Sequence, residues 1–140
     1  MTDLDPHPEE TVLDYGGLQF GVSFRGPGAT LRVNGDVGGE PTELLRFDDF
    51  IEQPHYHVPA SADAIMFDRE KLGEPLAFYI AQIRDNLGPL LAEAGYGDVL
   101  PTIDLKVVSE HAGDIQKAME DCVPDGYVRV AGVGLQKVGA

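Results

Sequence analysis

Residues 18–24 read Leu-Gln-Phe-Gly-Val-Ser-Phe, and their pattern indicates the kind of secondary structure from which the chain is built. Apolar residues alternate with polar or small ones, so that Leu18, Phe20 and Val22 fall on one face. A period of two with a single apolar face is typical of a strand that is buried on one side. The pattern therefore predicts a β-sheet with one face turned towards a core.

The flanking residues extend this strand into hairpins. Residues 16–17 are a pair of glycines, and residues 25–28 read Arg-Gly-Pro-Gly. Both favour tight turns, because glycine tolerates positive φ angles and proline fixes its own φ. Alternation resumes over residues 29–37, and residues 42–51 are expected to form the next strand. Because short turns join neighbouring strands antiparallel, we expect an antiparallel sheet.

The second half of the chain predicts helices as well as strands. Residues 75–94 carry apolar residues at helical spacing, with an interruption at Gly88-Pro89, and residues 114–123 predict a shorter helix. Residues 103–108 and 127–138 alternate and are expected to be strands. The expected fold class is α+β: an antiparallel β-sheet of five to seven strands with two main helices packed on one face.

Length and charge limit the classes of function. A chain of 140 residues fits one domain, which we place at residues 11–140 after a flexible acidic arm at residues 1–10. The sequence contains neither a long apolar run nor a signal peptide, so we expect a cytoplasmic protein that does not enter membranes. The net charge of −14 makes nucleic acid a poor partner, because phosphate binding needs a basic face. High solubility explains the same charge without any partner.

Residues 44–58 concentrate the groups that carry chemistry, including two of the four histidines of the chain. Asp48-Asp49 interrupts the alternation of the strand, which predicts a β-bulge or the end of the strand there. Pro54 keeps the following residues extended, so that His55 and His57 point to the same side. We therefore predict that Arg46, Asp48, His55 and His57 converge on one partly buried polar pocket, with Tyr56 packed behind it as a wall.

A divalent metal site is the first hypothesis for this pocket. His55 and His57 form a His-x-His pair, a common arrangement for chelation. Asp48, Asp49 or Glu52 would add a carboxylate, and His111 would approach from a distant loop. The alternative is that one imidazole is hydrogen-bonded in the core and the other is solvated.

The second hypothesis is chemistry without a cofactor. Asp48 beside an imidazole would supply an acid–base pair, and Arg46 would hold a substrate carboxylate through its planar guanidinium. This arrangement suits a small isomerase, decarboxylase or lyase that acts on an acidic small molecule. The alternative is a structural ion pair between Arg46 and Asp48. The single cysteine, Cys122, is expected to be a buried apolar residue rather than a nucleophile.

The third hypothesis, which we favour, is a small acidic cytosolic binding or accessory protein. A sheet with helices on one face has a second face free to bind a small-molecule ligand or a second copy of the chain. The apolar content of the sheet, compared with the area that two helices can cover, motivates the prediction of a homodimer.

The same stretch carries a resemblance to a known family. Residues 46–50 read Arg-Phe-Asp-Asp-Phe and residues 54–57 read Pro-His-Tyr-His. This resembles the signature of a family of small uncharacterised bacterial proteins, Arg-Phe-Asp-x-Phe followed after three residues by Pro-His-Tyr-His. The resemblance is close over residues 44–58 and implies a grouping without an activity. The aromatic residue expected after the second histidine is Val58 here.

Overall fold

The computed structural model describes residues 9–139, which form an α+β fold. The main sheet contains β1 (Thr11–Tyr15), β2 (Leu18–Arg25), β3 (Gly28–Val37), β4 (Glu40–Phe50), β5 (His55–His57) and β6 (Ile65–Met66). The helices are α1 (Arg69–Leu72), α2 (Pro75–Asp85), α3 (Leu87–Glu93), α4 (Leu105–Glu110) and α5 (Ala112–Asp121), with a 3-10 helix at Gly97–Thr102. A separate hairpin consists of β7 (Tyr127–Val130) and β8 (Gly134–Lys137).

The six strands of the main sheet follow one another in chain order, and every neighbouring pair is antiparallel. This confirms the predicted fold class. The turn between β1 and β2 requires glycine at Gly16, where φ is +61° and an added Cβ would collide with the carbonyl oxygen of Asp104. The turn therefore fixes both the register of the first hairpin and its contact with the region before α4.

The helices cover the apolar face of the sheet. The predicted helical stripe is buried, with exposed fractions of only 1–3% for Leu76, Ile80, Ile83 and Leu87. On the sheet side, Phe20, Leu31 and Phe47 are completely buried. Burial of each large apolar side chain contributes about 1.5–3 kcal/mol, so this contact layer is the main source of stability. Within residues 9–139, none of the helices is long and apolar enough to cross a membrane.

The predicted interruption of the long helix is real, but it lies at Asn86, between α2 and α3. Pro89 has no amide hydrogen to donate to the carbonyl four residues earlier, so a continuous helix is not possible there. Placing Pro89 in the first turn of α3 avoids this conflict, because amides in a first turn have no partner within the helix.

Two predicted strands are wrong. Residues 103–108 lie mostly in α4, because the carboxylate of Asp104 accepts hydrogen bonds from the amides of Lys106 and Val107 and caps a helix. Residues 127–138 form the hairpin of β7 and β8 instead of one strand. Gly132 and Gly134, with φ of +75° and +111°, turn the chain back on itself.

Of the two alternatives predicted at Asp48-Asp49, the bulge is wrong, whereas the strand does end one residue later, at Phe50. The register of β3 and β4 is regular through both residues, and its irregularity lies between Val33 and Asn34. The strand stays regular because each carboxylate finds a partner on its own face: Thr30 for Asp48 and Arg129 for Asp49.

The second face of the sheet is polar and largely buried. Its buried polar side chains are Gln19, Ser23, Thr30, Arg32, Asn34 and Asp48. Arg32 binds the carboxylate of Glu10 at 2.7 and 2.8 Å through two of its nitrogens. Glu10 belongs to the arm predicted at residues 1–10, whose first eight residues lie outside the described part of the chain.

Candidate metal centre

Two neighbouring strands bring the candidate ligands together on the polar face. In the register of β4 and β5, Asp48 lies opposite His55 and Arg46 lies opposite His57. Residues two apart on a strand share a face, so both imidazoles lie on the same side of β5. The geometry of the sheet thus brings Asp48 next to both histidines.

The ligand atoms of Asp48, His55 and His57 form a tight cluster. Oδ2 of Asp48 lies 3.0 Å from Nε2 of His55 and 3.6 Å from Nε2 of His57. One ligand atom from each of the three residues lies within 4.8 Å of the others, a spacing that one metal ion can bridge. Asp48 is buried, whereas both imidazoles are partly exposed.

Backbone carbonyls define the hydrogen-bonding state of both rings. Nδ1 of His55 lies 2.8 Å from the carbonyl oxygen of Gln53, and Nδ1 of His57 lies 2.7 Å from that of Ala62. A carbonyl oxygen only accepts, so each Nδ1 must carry the proton. In a neutral ring the lone pair is then on Nε2, the atom that faces Asp48. Histidines that ligate metals are oriented by the same kind of hydrogen bond.

The carboxylate of Asp48 is also held in place. The hydroxyl of Thr30 donates to its Oδ1 at 2.8 Å, which directs Oδ2 towards the imidazoles. Behind the cluster, the buried hydroxyl of Tyr79 lies 3.1 Å from the carbonyl oxygens of both Asp48 and His55. Burial raises the pKa of Tyr79, so this hydroxyl stays protonated and can donate.

The other predicted site residues have partners outside the cluster, although Arg46 lies beside His57 in the sheet. Arg46 pairs with Glu43 through two hydrogen bonds of 3.0 Å, and no ion pair forms between Arg46 and Asp48 within residues 9–139. His111 pairs with Asp114 at 2.9 Å and stacks on Tyr15, outside the group of possible metal ligands.

Asp49 and the aromatic wall lie on the core side of the strands, whereas Glu52 lines a neighbouring cleft. Asp49 points away from the cluster and forms a buried ion pair with Arg129. Burial raises the pKa of Asp49, while Arg129 opposes that shift. The ring of Tyr56 packs against those of Phe47 and Tyr79, which places it behind the polar face as expected.

A cleft of about 620 Å³ reaches the cluster at His55. It lies between the turn that joins β2 to β3, the segment after β4 and the end of β8. Phe50 forms one wall, and its ring contacts the imidazole of His55 edge to face. Lys137 and Glu52 add one positive and one negative charge to the lining.

The sequence did not reveal three parts of this site. Thr30 reaches Asp48 only through the register of β3 and β4, which the sequence does not specify. The carbonyl of Gln53 reaches His55 because Gln53 has a left-handed backbone conformation, with φ of +54°. Glycine usually marks such a conformation in a sequence, and this position has none. Lys137 was assigned to a longer strand, and the hairpin of β7 and β8 brings it to the cleft.

The fold and the cluster define the chain as an α+β domain whose sheet carries two histidines and an aspartate in a possible metal-binding arrangement. The chain belongs to the family described as a domain of unknown function, DUF7700, which it matches over residues 12–119. The match confirms membership of an uncharacterised family and includes all three residues of the cluster. The short motif around the histidines stays a prediction.

One further protein is similar to part of the chain. It is the GMP synthase (glutamine-hydrolyzing) of Rippkaea orientalis, with 30% identity over 105 residues. The aligned region covers 64% of this chain but spans only 19% of the synthase. No solved structure matches the chain.

Proposed function

We propose that the protein binds a divalent transition metal through Asp48, His55 and His57, and that the bound metal holds a small-molecule ligand. Two imidazole nitrogens and one carboxylate oxygen are a common set of three protein ligands in catalytic and binding sites. Three protein ligands leave coordination positions for water or for a ligand. The partial exposure of both imidazoles supports such an open site.

The observation that carries this proposal is the direction of the two Nε2 atoms. Both Nε2 atoms face Oδ2 of Asp48, and the Nδ1–H group of each ring donates a hydrogen bond to a backbone carbonyl. Without a cation, two neutral rings would place lone pairs against a carboxylate. A metal ion held by these three residues would replace this repulsion with coordination by two nitrogens and one oxygen.

The metal-free alternative is an ion pair between Asp48 and one imidazolium ring. Nε2 of His55 lies 3.0 Å from Oδ2 of Asp48 and is placed to form that pair, whereas Nε2 of His57 at 3.6 Å is too far away for a hydrogen bond. An ion pair would therefore engage only one of the two rings, whereas a metal ion would be bound by all three residues.

The donor set also restricts the kind of metal. Magnesium and calcium favour sites built from oxygen atoms, whereas imidazole favours zinc, iron, cobalt, nickel and copper. We therefore propose a first-row transition metal and zinc or ferrous iron as the first candidates. The likeness to a GMP synthase adds no substrate, because the aligned part is a small fraction of that protein.

A binding or accessory function fits this site better than cofactor-free catalysis. The hypothesis of a cofactor-free isomerase, decarboxylase or lyase gives Arg46 the role of holding the substrate. The guanidinium of Arg46 is already engaged by Glu43, which weakens that hypothesis. A bound metal would provide the positive charge for an acidic ligand instead.

Metal titration of the purified, untagged protein tests the proposal. After removal of metal, we expect isothermal titration with zinc to give one site per chain. The variant His57→Ala should lose at least about tenfold in affinity, as expected for removal of a ligand. His111→Ala is the matched control, because it removes a histidine that also pairs with an aspartate. Equal zinc affinity in all three proteins would contradict the assignment.

A further inference from the structure

The ammonium of Lys137 lies in the lining of the cleft and is exposed. Among the described residues it forms neither an ion pair nor a side-chain hydrogen bond, unlike Arg32, Arg46 and Arg129. Of the ten lysines and arginines, five form ion pairs with carboxylates among the described residues, namely Arg32, Arg46, Arg84, Lys117 and Arg129. A cation that lies in a cleft without such a partner is therefore available to a ligand.

The cleft itself suits a small organic molecule. Its volume of about 620 Å³ is within the range of roughly 300–1,000 Å³ that is typical of ligand pockets. Phe50 and Pro27 provide apolar walls, and His55 connects the cleft to the cluster of metal ligands. A ligand here would contact an apolar wall, a lysine and one side of the proposed metal site.

We propose that this cleft binds a small organic acid, whose carboxylate occupies an open position on the metal and is also attracted by Lys137. This inference rests on the metal site proposed above. A carboxylate satisfies both features, because it is a ligand for transition metals and a partner for an ammonium group.

The charges in and around the cleft limit how acidic the ligand is. Glu52 lines the same cleft and repels additional negative charge. The net charge of −14 disfavours polyanions such as nucleoside triphosphates. The apolar walls favour a carbon skeleton over inorganic phosphate. We therefore infer that the ligand has one or two carboxylates.

The experiment uses protein loaded with cobalt(II), whose visible absorption reports changes in coordination. Pyruvate, oxalate and acetate are titrated into the loaded protein, and inorganic phosphate serves as the other source of an anion. Dialysis confirms that the cobalt stays bound. We expect at least one of the acids to change the spectrum with saturation, and to bind much more weakly to the metal-free protein.

Variants that each change a single charge distinguish the effect of the cleft on acid binding from the effect of the overall electrostatic field of the protein. We expect Lys137→Met to weaken binding of the acid by about fivefold, as for a partly solvated charge pair. Lys106→Met removes a charge from an exposed lysine in α4 and should leave the affinity unchanged. Glu52→Gln should strengthen binding. All three variants should load cobalt as the unmodified protein does.

The outcomes distinguish this inference from the proposed function. If cobalt binds but none of the acids changes the spectrum, or if Lys137→Met and Lys106→Met behave alike, the inference is wrong and the metal site stands. A response to phosphate alone would also overturn it. If cobalt does not bind with the affinity of a specific site, both the inference and the proposed function are wrong.

Discussion

At the scale of single residues, the orientation of Asp48 depends on one hydroxyl. Thr30→Val keeps the shape of the side chain and removes the 2.8 Å hydrogen bond to Oδ1. We expect about 1 kcal/mol of destabilisation and about a tenfold loss of zinc affinity, because the carboxylate is then free to rotate. Titration calorimetry and thermal melting measure both effects. Thr42→Val, which removes a hydrogen bond to the carbonyl of Glu40, should leave zinc affinity unchanged.

Cys122 is expected to be unreactive because its thiol is partly buried. Burial raises the pKa of its thiol to about 11, so little thiolate exists at neutral pH. We expect slow modification by a disulfide reagent at pH 7 in the folded protein, and faster modification as the pH approaches 11. The raised pKa means that the contribution of this group to stability is present below pH 9 and is lost as the pH rises through 11. Fast modification of the folded protein at pH 7 would contradict this.

The residue pattern predicted the two histidines better than it predicted their surroundings. His55 and His57 could be placed on one face because alternation in a strand is a local property. Thr30 and Asp48 are 18 positions apart, and their contact depends on how two strands align. The same holds for Arg46, which pairs with Glu43 and not with Asp48, the partner considered as a structural alternative. Partner choice among several charges requires the three-dimensional arrangement.

At the scale of secondary structure, the hairpin of β7 and β8 is attached to β4 by an ion pair whose carboxylate is buried. The guanidinium of Arg129 binds Asp49, which is completely buried, and also donates to the carbonyl of Met119 at 3.1 Å. Arg129→Leu leaves the carboxylate of Asp49 without this partner. We expect a loss of about 3–5 kcal/mol in the free energy of unfolding, measured by urea denaturation at pH 7.

A double variant separates the cost of the isolated charge from the loss of packing. Asp49→Asn combined with Arg129→Leu removes both charges, and we expect it to recover a large part of the lost stability. If the double variant is as unstable as Arg129→Leu alone, packing of the arginine rather than its charge attaches the hairpin.

The strands and the long helices could be predicted because their periodicity extends over many residues, whereas short segments were ambiguous. Residues 103–108 alternate, but six residues match a strand and a helix almost equally well. The cap provided by Asp104 selects the helix. The final hairpin is not evident from alternation, because Gly132, which lies in its turn, and Gly134, which begins β8, are both inside the alternating segment 127–138.

At the scale of the whole molecule, the homodimer stays a prediction. Ile65 and Met66 form the edge strand β6 of the main sheet, and both side chains are exposed. Two exposed apolar side chains at the edge of a sheet offer a surface that a second copy of the chain would cover. We expect light scattering at micromolar concentration to give twice the mass of the 15.1 kDa chain, and Met66→Lys to reduce it to that of the monomer. A monomer in the unmodified protein would contradict this prediction.

Metal binding should also be visible in the stability of the whole fold. A metal that binds only the folded state, present at about 100 times its dissociation constant, stabilises the protein by about 2.7 kcal/mol. For a chain of this size we expect the melting temperature to rise by roughly 10 °C. His57→Ala should abolish this rise, whereas His111→Ala should retain it.

The metal-free proteins provide the decisive comparison between a binding site and a structural network. If Asp48, His55 and His57 serve mainly to bind a metal, metal-free His57→Ala should melt close to the unmodified protein, because the lone pairs of the rings repel the carboxylate. If they form a structural network, the same variant should melt markedly lower, and metal should add little to the stability of the unmodified protein. A binding site thus predicts that zinc changes the melting temperature more than the substitution does, and a structural network predicts the reverse. One set of thermal melts with and without zinc distinguishes the two explanations.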